Sequence, residues 1–262
     1  MYGTPLFMIE KSCGISLEDA YPAVIRRKVT HAQMLAFCTQ YRRMGICKLF
    51  LSGLPDAFFE DLSKSARAFL FFLEGVGDEL KRTSSSEPFF DAVACNDREA
   101  ATAIACHSRQ SWHQGEEYED DFLYAFFLMN RFAQQAPRER LEALLRRYEE
   151  VLQGAGDPRL GLCRSYLTVD QKLFDDSLAR IVEEREKDIH ESLEGERIPP
   201  DDVPTTSRLW VELLALLRFA EQAGLSPAEH HPLAPSVARM LSRARLPPPD
   251  AWRHIASYYD LS

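Results

Sequence analysis

Residues 208–224 have the sequence RLWVELLALLRFAEQAG, which is hydrophobic almost all the way round a helix. A helix at the surface keeps one polar face, whereas a helix that is apolar on every side is buried among its neighbours. The stretch therefore predicts a central helix that other helices surround. No convincing alternating strand and no Asn-Gly or Asp-Gly hairpin turn occurs elsewhere, so we expect an all-α fold.

The stretches around this helix have the same character. Residues 56–75 place apolar side chains at i, i+3, i+4 spacing, and residues 87–107 predict two short alanine-rich helices. Asn96 is the predicted cap of the second of these. Ser16 and Asp19 resemble a capping box for a helix over 20–44. Further helices are predicted over 118–135, 137–153, 168–194, 233–246 and 249–261, with a Gly/Pro break at 154–161.

These patterns predict a single multi-helix domain of about ten helices with helical-hairpin, repeat-like packing over residues 1–262. Residues 195–207 (GERIPPDDVPTTS) are the best candidate for a linker because they combine proline and charge. A subdivision into residues 1–195 and residues 204–262 is therefore the alternative.

Composition excludes several classes of function. The formal net charge of −9 argues against nucleic acid as the main ligand, because binding phosphate requires a basic surface. No apolar run reaches the roughly 18 residues that predict a membrane span. The first residues lack a basic and then apolar export signal, so we expect a cytoplasmic protein. The six cysteines then indicate small buried side chains in a reducing compartment.

The negative charge is concentrated in two segments. Residues 116–121 (EEYEDD) contain five acids and no base, and residues 183–202 contain nine acids against three bases. The remainder of the chain is therefore slightly positive. A fixed acidic patch suits the recognition of a basic partner. The candidate partner-binding residues are Trp112, Glu116, Glu117, Tyr118, Glu119, Asp120, Asp121, Glu183, Glu184, Glu186, Asp188 and Glu191.

The same acids raise the question of a metal site. Glu117 and Asp121 are four residues apart with His113 upstream, and oxygen-rich clusters bind Ca²⁺ or Mg²⁺. Acids in the first turn of a helix are, however, favoured simply by its unpaired N–H groups. No histidine lies three residues after a glutamate, as the di-iron sites of helical bundles require. We therefore predict no metal, no cofactor and no catalytic residue.

Four segments resemble a known family. They are SARAFLFFLEG (65–75), PFFDAVACNDREAATAIA (88–105), SWHQGEEYEDDFLYAFFL (111–128) and RLWVELLALLRFAEQAGLSPAEHHPLAPSVARML (208–241). They are similar to the all-α immunity proteins of bacterial polymorphic and type VI toxin systems, specifically the immunity protein 49 family. The resemblance implies a cytoplasmic protein that binds a cognate toxin and blocks it without catalysis. It implies no particular contact residues.

Three hypotheses follow for the function. The first is an immunity protein, a monomer or homodimer, whose acidic surface occludes the active site or basic cleft of a toxin such as a nuclease. The second is a helical-repeat adaptor that binds peptides. The third and least favoured is a metal-dependent helical enzyme. Neither nucleic acid nor a membrane is an expected partner.

Overall fold

A computed structural model describes residues 4–255, and the elements within this range are ten α-helices with short 3₁₀ and π-helical segments. The helices are α1 (Leu6–Ile25), α2 (His31–Ser52), α3 (Asp56–Leu73), α4 (Glu87–Ala94), α5 (Arg98–His107), α6 (Glu119–Leu128), α7 (Arg138–Leu152), α8 (Pro158–Thr168), α9 (Gln171–Glu194) and α10 (Val211–Ala223). Extended pairing in this range is confined to one isolated bridge between His231 and Ala234. The predicted all-α multi-helix fold is therefore confirmed.

The prediction for α10 is also confirmed. Its residues Val211, Leu213–Leu217 and Phe219 are buried, and the Phe219 ring stacks on Phe132 with the ring centroids 4.2 Å apart. The Tyr166 hydroxyl of α8 donates a hydrogen bond to the Leu216 carbonyl at 2.9 Å. Helices α4 and α8 pack against α10, which therefore lies inside the fold.

The predicted helix over 20–44 is wrong in its bounds. Thr30 and Gln33 form a complete capping box at the start of α2. The helix is therefore interrupted between Ile25, where α1 ends, and His31, where α2 begins. Ser16 lies inside α1, where its side chain caps nothing. The stronger reciprocal cap at Thr30 determines where the second helix begins.

Two other boundaries differ from the predictions because of local capping chemistry. Asn96 adopts a left-handed conformation (φ 61°) after α4, and Asp97 caps α5 by accepting a hydrogen bond from the Ala100 N–H at 3.0 Å. Asparagine tolerates this conformation at the end of a helix. Pro158 begins α8 instead of extending the predicted break, since proline suits the first turn of a helix.

The C-terminal predictions are wrong where they can be compared with the structure. Residues 233–246 contain only 3₁₀ turns at Ser236–Arg239 and Leu241–Arg243, and a further turn spans Ala251–Arg253. Three consecutive prolines at 247–249 separate these turns, and proline lacks the N–H that a helix needs. Residues 256–261 of the last predicted helix lie outside the described residues.

The linker candidate at 195–207 is tied to the helices. Arg43 of α2 donates two hydrogen bonds to the Asp202 carboxylate, at 2.7 and 2.8 Å, and Thr205 is fully buried. The division of the chain into one or two domains stays a prediction.

Five cysteines are buried as predicted, but Cys106 is exposed near the end of α5. Burial raises the pKa of the Cys13 and Cys47 thiols to about 12, which keeps both protonated at neutral pH. Within residues 4–255, no helix is both long enough and apolar enough to cross a membrane.

Candidate functional site

The acids at the start of α6 are paired with arginines of the same chain. Arg147 of α7 donates hydrogen bonds to both carboxylate oxygens of Glu119, at 2.8 and 2.9 Å. Arg159 of α8 reaches Asp121 at 2.6 Å and Asp120 at 3.2 Å. The first turn of α6 therefore fastens this helix to α7 and α8.

Glu116 and Glu117 precede α6, and their side chains contact residues 82–84 instead of α7 and α8. Glu116 forms an ion pair with Arg82, and Glu117 accepts a hydrogen bond from the Ser84 N–H at 2.9 Å. Asp121, which was the other carboxylate of the hypothetical metal site, is bound to Arg159 instead. Within residues 4–255, no group of three or more His, Cys, Asp or Glu side chains is arranged to hold a metal ion.

Arg159 pairs with more acids than Arg147 does at the start of α6. Its guanidinium also contacts Asp157, which caps α8 and accepts a hydrogen bond from the Tyr148 hydroxyl at 2.7 Å. Burial alone would raise the pKa of Asp157, but the hydrogen bonds from Arg159 and Tyr148 outweigh burial and lower it. Burial opposes the charge of Arg159 as well, and its hydrogen bonds to Asp157 and Asp121 hold its pKa above the ordinary value.

Trp112 and Tyr118 differ in exposure. Trp112 is half-buried against the core and donates its Nε1–H to the Glu117 carbonyl at 2.9 Å, which gives it a structural contact. Tyr118 is 78% exposed and is therefore available to a partner. Both remain candidate partner-binding residues.

The acids of α9 have a different environment. Glu183, Glu184, Glu186 and Asp188 are exposed, and within residues 4–255 no salt bridge engages them. Glu191 has a loose pair with Lys187 at 3.8 Å. Of the two acidic segments, α9 is thus the one whose carboxylates are largely free to meet an external cation.

A groove of about 540 Å³ runs between α9 and the segment 226–231. Its lining residues include Asp175, Glu183 and Glu186 but no lysine or arginine. Asp175 accepts a hydrogen bond from the Gln171 amide at 2.9 Å. The sequence shows the two glutamates, but it does not show the second wall. Residue 226 is distant in sequence from Gln171, the α9 residue that it contacts.

His231 also lines this groove. Its Nε2 is buried and has no hydrogen-bond partner within residues 4–255. Burial lowers the pKa of His231, and the charge of Arg239 lowers it further, so the imidazole is neutral at pH 7.

A second, larger groove of about 880 Å³ is mainly apolar. Leu6 of α1, Phe50 of α2 and Leu193 of α9 line it together with Ile198 and Val203. Further exposed apolar side chains lie near these residues in sequence. They are Phe7 and Met8 of α1, and Leu51 and Leu54, which follow Phe50. An exposed apolar concavity of this kind is a candidate surface for binding another protein.

The sequence did not reveal the arginines that pair with the acids of residues 116–121. Arg82, Arg147 and Arg159 neutralise much of the α6 cluster, yet each lies at least 28 residues from its acidic partner. No local spacing rule connects residues so far apart, so only the tertiary structure identifies these pairs.

The chain matches the model of a known protein family. The family model for immunity protein 49 matches residues 58–238, a range that extends from α3 through α10 to the 3₁₀ turn at Ser236–Arg239. The match covers more than half of the chain. No curated protein and no solved structure matches it.

Proposed function

Because the chain belongs to the immunity protein 49 family, we propose that it binds a cognate antibacterial toxin in the cytoplasm and neutralises it. Family membership is the observation that carries this proposal. A protein of this kind acts as an inhibitor, so it requires a binding surface and no catalytic centre.

The charge distribution supports occlusion of a basic surface. A nuclease toxin has a basic cleft because it must bind phosphates. An acidic inhibitor can cover such a cleft and can associate quickly through electrostatic attraction. The exposed acids of α9 supply negative charge that the chain does not neutralise itself. We therefore propose a nuclease or another toxin with a basic cleft as the partner.

Growth of cells that produce the toxin tests the proposal. The product of the open reading frame adjacent to the gene for this chain is expressed alone and together with the chain. We expect toxicity alone, and rescue with a co-purifying complex on co-expression. Toxicity that persists in the presence of folded chain, without a complex, would contradict the proposal.

The apolar groove between α1, α2 and α9 favours a second candidate function, a peptide-binding adaptor. Helical grooves with apolar walls accept amphipathic segments. Phe50 is 37% exposed and Leu193 is 42% exposed, so both could contact such a segment. If this candidate is correct, replacing Leu193 with aspartate abolishes partner binding and toxin rescue does not occur with any adjacent gene product.

A further inference from the structure

We infer that the groove between α9 and residues 226–231 receives an arginine or lysine side chain of the toxin. This inference rests on the proposed function, since it names the surface with which the chain would hold its partner. It also distinguishes between the two acidic segments, which the sequence alone treats as equivalent.

Charge is the first argument. Asp175, Glu183 and Glu186 line the groove, and no lysine or arginine does. At the start of α6, by contrast, Arg147 and Arg159 already occupy the carboxylates. A cation from another protein would find the α9 acids open, whereas it would have to displace an internal arginine at α6.

The side chains that line the groove suit a long basic side chain. Phe174, Leu178 and Val182 supply apolar surface beside the acids. Lysine and arginine bury their aliphatic stems on apolar surface while the charged head stays polar.

The walls of the groove are fixed before any partner arrives. Gln171 of α9 accepts a hydrogen bond from the Ser226 N–H at 2.8 Å and donates one to the Ser226 carbonyl at 3.2 Å. Arg239 donates to the carbonyls of Ala228 and Glu229, both at 2.8 Å. A preformed site binds more tightly because less conformational entropy is lost on association.

Arg239, whose charge reaches His231, already has partners of its own. Arg239 is engaged with the two carbonyls and with Glu221 at 3.4 Å. His231 is neutral, and its buried Nε2 has no partner within residues 4–255.

The test compares acid-to-amide variants that change the charge equally. In E183Q/E186Q the groove loses two carboxylates. In E74Q/E139Q the chain loses two exposed acids far from α9 in sequence, Glu74 directly after α3 and Glu139 of α7, neither of which forms a salt bridge within residues 4–255. Binding kinetics are measured for each variant with the purified product of the adjacent open reading frame as the probe. Thermal unfolding of each variant shows whether it is folded.

We expect E183Q/E186Q to raise the Kd by about 10- to 100-fold, mainly through faster dissociation, because the partner cation loses its direct contacts. The control E74Q/E139Q should change the Kd less than about threefold, through the association rate. A third variant, E184Q/D188N, alters acids of α9 that do not line the groove. We expect a smaller loss of affinity for it than for E183Q/E186Q.

Three outcomes would overturn the inference. If the wild-type chain does not bind the probe, the proposed function fails and the groove assignment fails with it. If the wild type binds and folded E183Q/E186Q binds equally well, only the groove assignment fails. If E183Q/E186Q instead disrupts a dimer of this chain, as measured by sedimentation, the occupant is a second copy and not a toxin side chain.

Discussion

At the scale of single residues, Arg159 is the side chain whose replacement removes three ion pairs at once. It contacts Asp120, Asp121 and Asp157 and is itself only 29% exposed. Replacing Arg159 with alanine leaves the nearly buried Asp157 without its cation. We expect the free energy of unfolding in urea to fall by about 2 kcal/mol.

Arg147 provides the matched control for this experiment. It also pairs with an acid of the α6 cluster, but it is 52% exposed. Replacing Arg147 with alanine should lower the free energy of unfolding by less than replacing Arg159 does, because water screens an exposed pair. Equal losses for the two variants would show that Arg159 has no special role in the cluster.

The pKa of Asp157 gives a pH dependence with a defined sign. Its folded-state pKa lies below the ordinary value of 3.8, so its contribution to stability is complete above that pH. The contribution is lost as the pH falls through the lowered folded-state pKa. The difference in unfolding free energy between wild type and Arg159→Ala should therefore shrink between pH 6 and pH 2.5. A difference that stays constant over this range would contradict the assignment.

At this scale the acids could be predicted from the sequence, but the arginines that pair with them could not. Glu119, Asp120 and Asp121 lie in the first turn of α6, as dipole chemistry favours, whereas residues 116–118 precede the helix. The arginines that pair with Glu119 and Asp121 come from α7 and α8 and could be identified only from the structure. A cluster of acids in the sequence therefore has two different environments: at α6 the acids pair with arginines of α7 and α8, and at α9 they are exposed to solvent.

At the scale of elements, α10 is the centre of the core. Phe219 contacts the rings of Phe89, Phe132 and Tyr166. Replacing Phe219 with alanine should lower the free energy of unfolding by about 3–5 kcal/mol, because the cavity cannot close completely. Urea unfolding followed by circular dichroism measures this loss. Phe7, which is 63% exposed, is the control, and its replacement with alanine should change stability by less than about 0.5 kcal/mol.

The two halves of α9 should differ in hydrogen exchange. Its buried residues are Phe174, Ser177, Leu178 and Ile181, all in the first half. Residues 186–194 contain no fully buried side chain, and Ile189 is only partly buried against the core, so their amides should exchange faster than those of α10. Binding of the toxin at the α9 groove should slow exchange around residues 183–186. Uniform protection along α9 in the free protein would contradict this description.

The element predictions succeeded where apolar periodicity was strong and failed where capping or proline chemistry decided the boundary. The buried character of α10 followed from its composition, and α3 followed from its i, i+3, i+4 spacing. Thr30 and Pro158 began helices that were predicted as continuous or absent. Residues 233–246 have helical composition, yet they form only 3₁₀ turns held by contacts such as that of Arg218 with the Arg239 carbonyl.

At the scale of the whole molecule, the fold places a neutralised acidic cluster and an open acidic groove on different elements. The family is that of immunity protein 49, and the free carboxylates of α9 are the basis of our proposal that this helix carries the partner-binding surface. The partner's sequence and chemistry belong to another chain. For this reason no pattern in these 262 residues could predict the interface completely.

Association kinetics between the purified chain and the product of the adjacent open reading frame test the central claim most directly. If an acidic surface meets a basic toxin, the two should form a tight complex. Its association rate should fall steeply as the salt concentration rises from 50 to 500 mM, because salt at about 0.5 M largely screens the electrostatic attraction between the two surfaces. The absence of a complex, or an association rate independent of salt, would contradict the account.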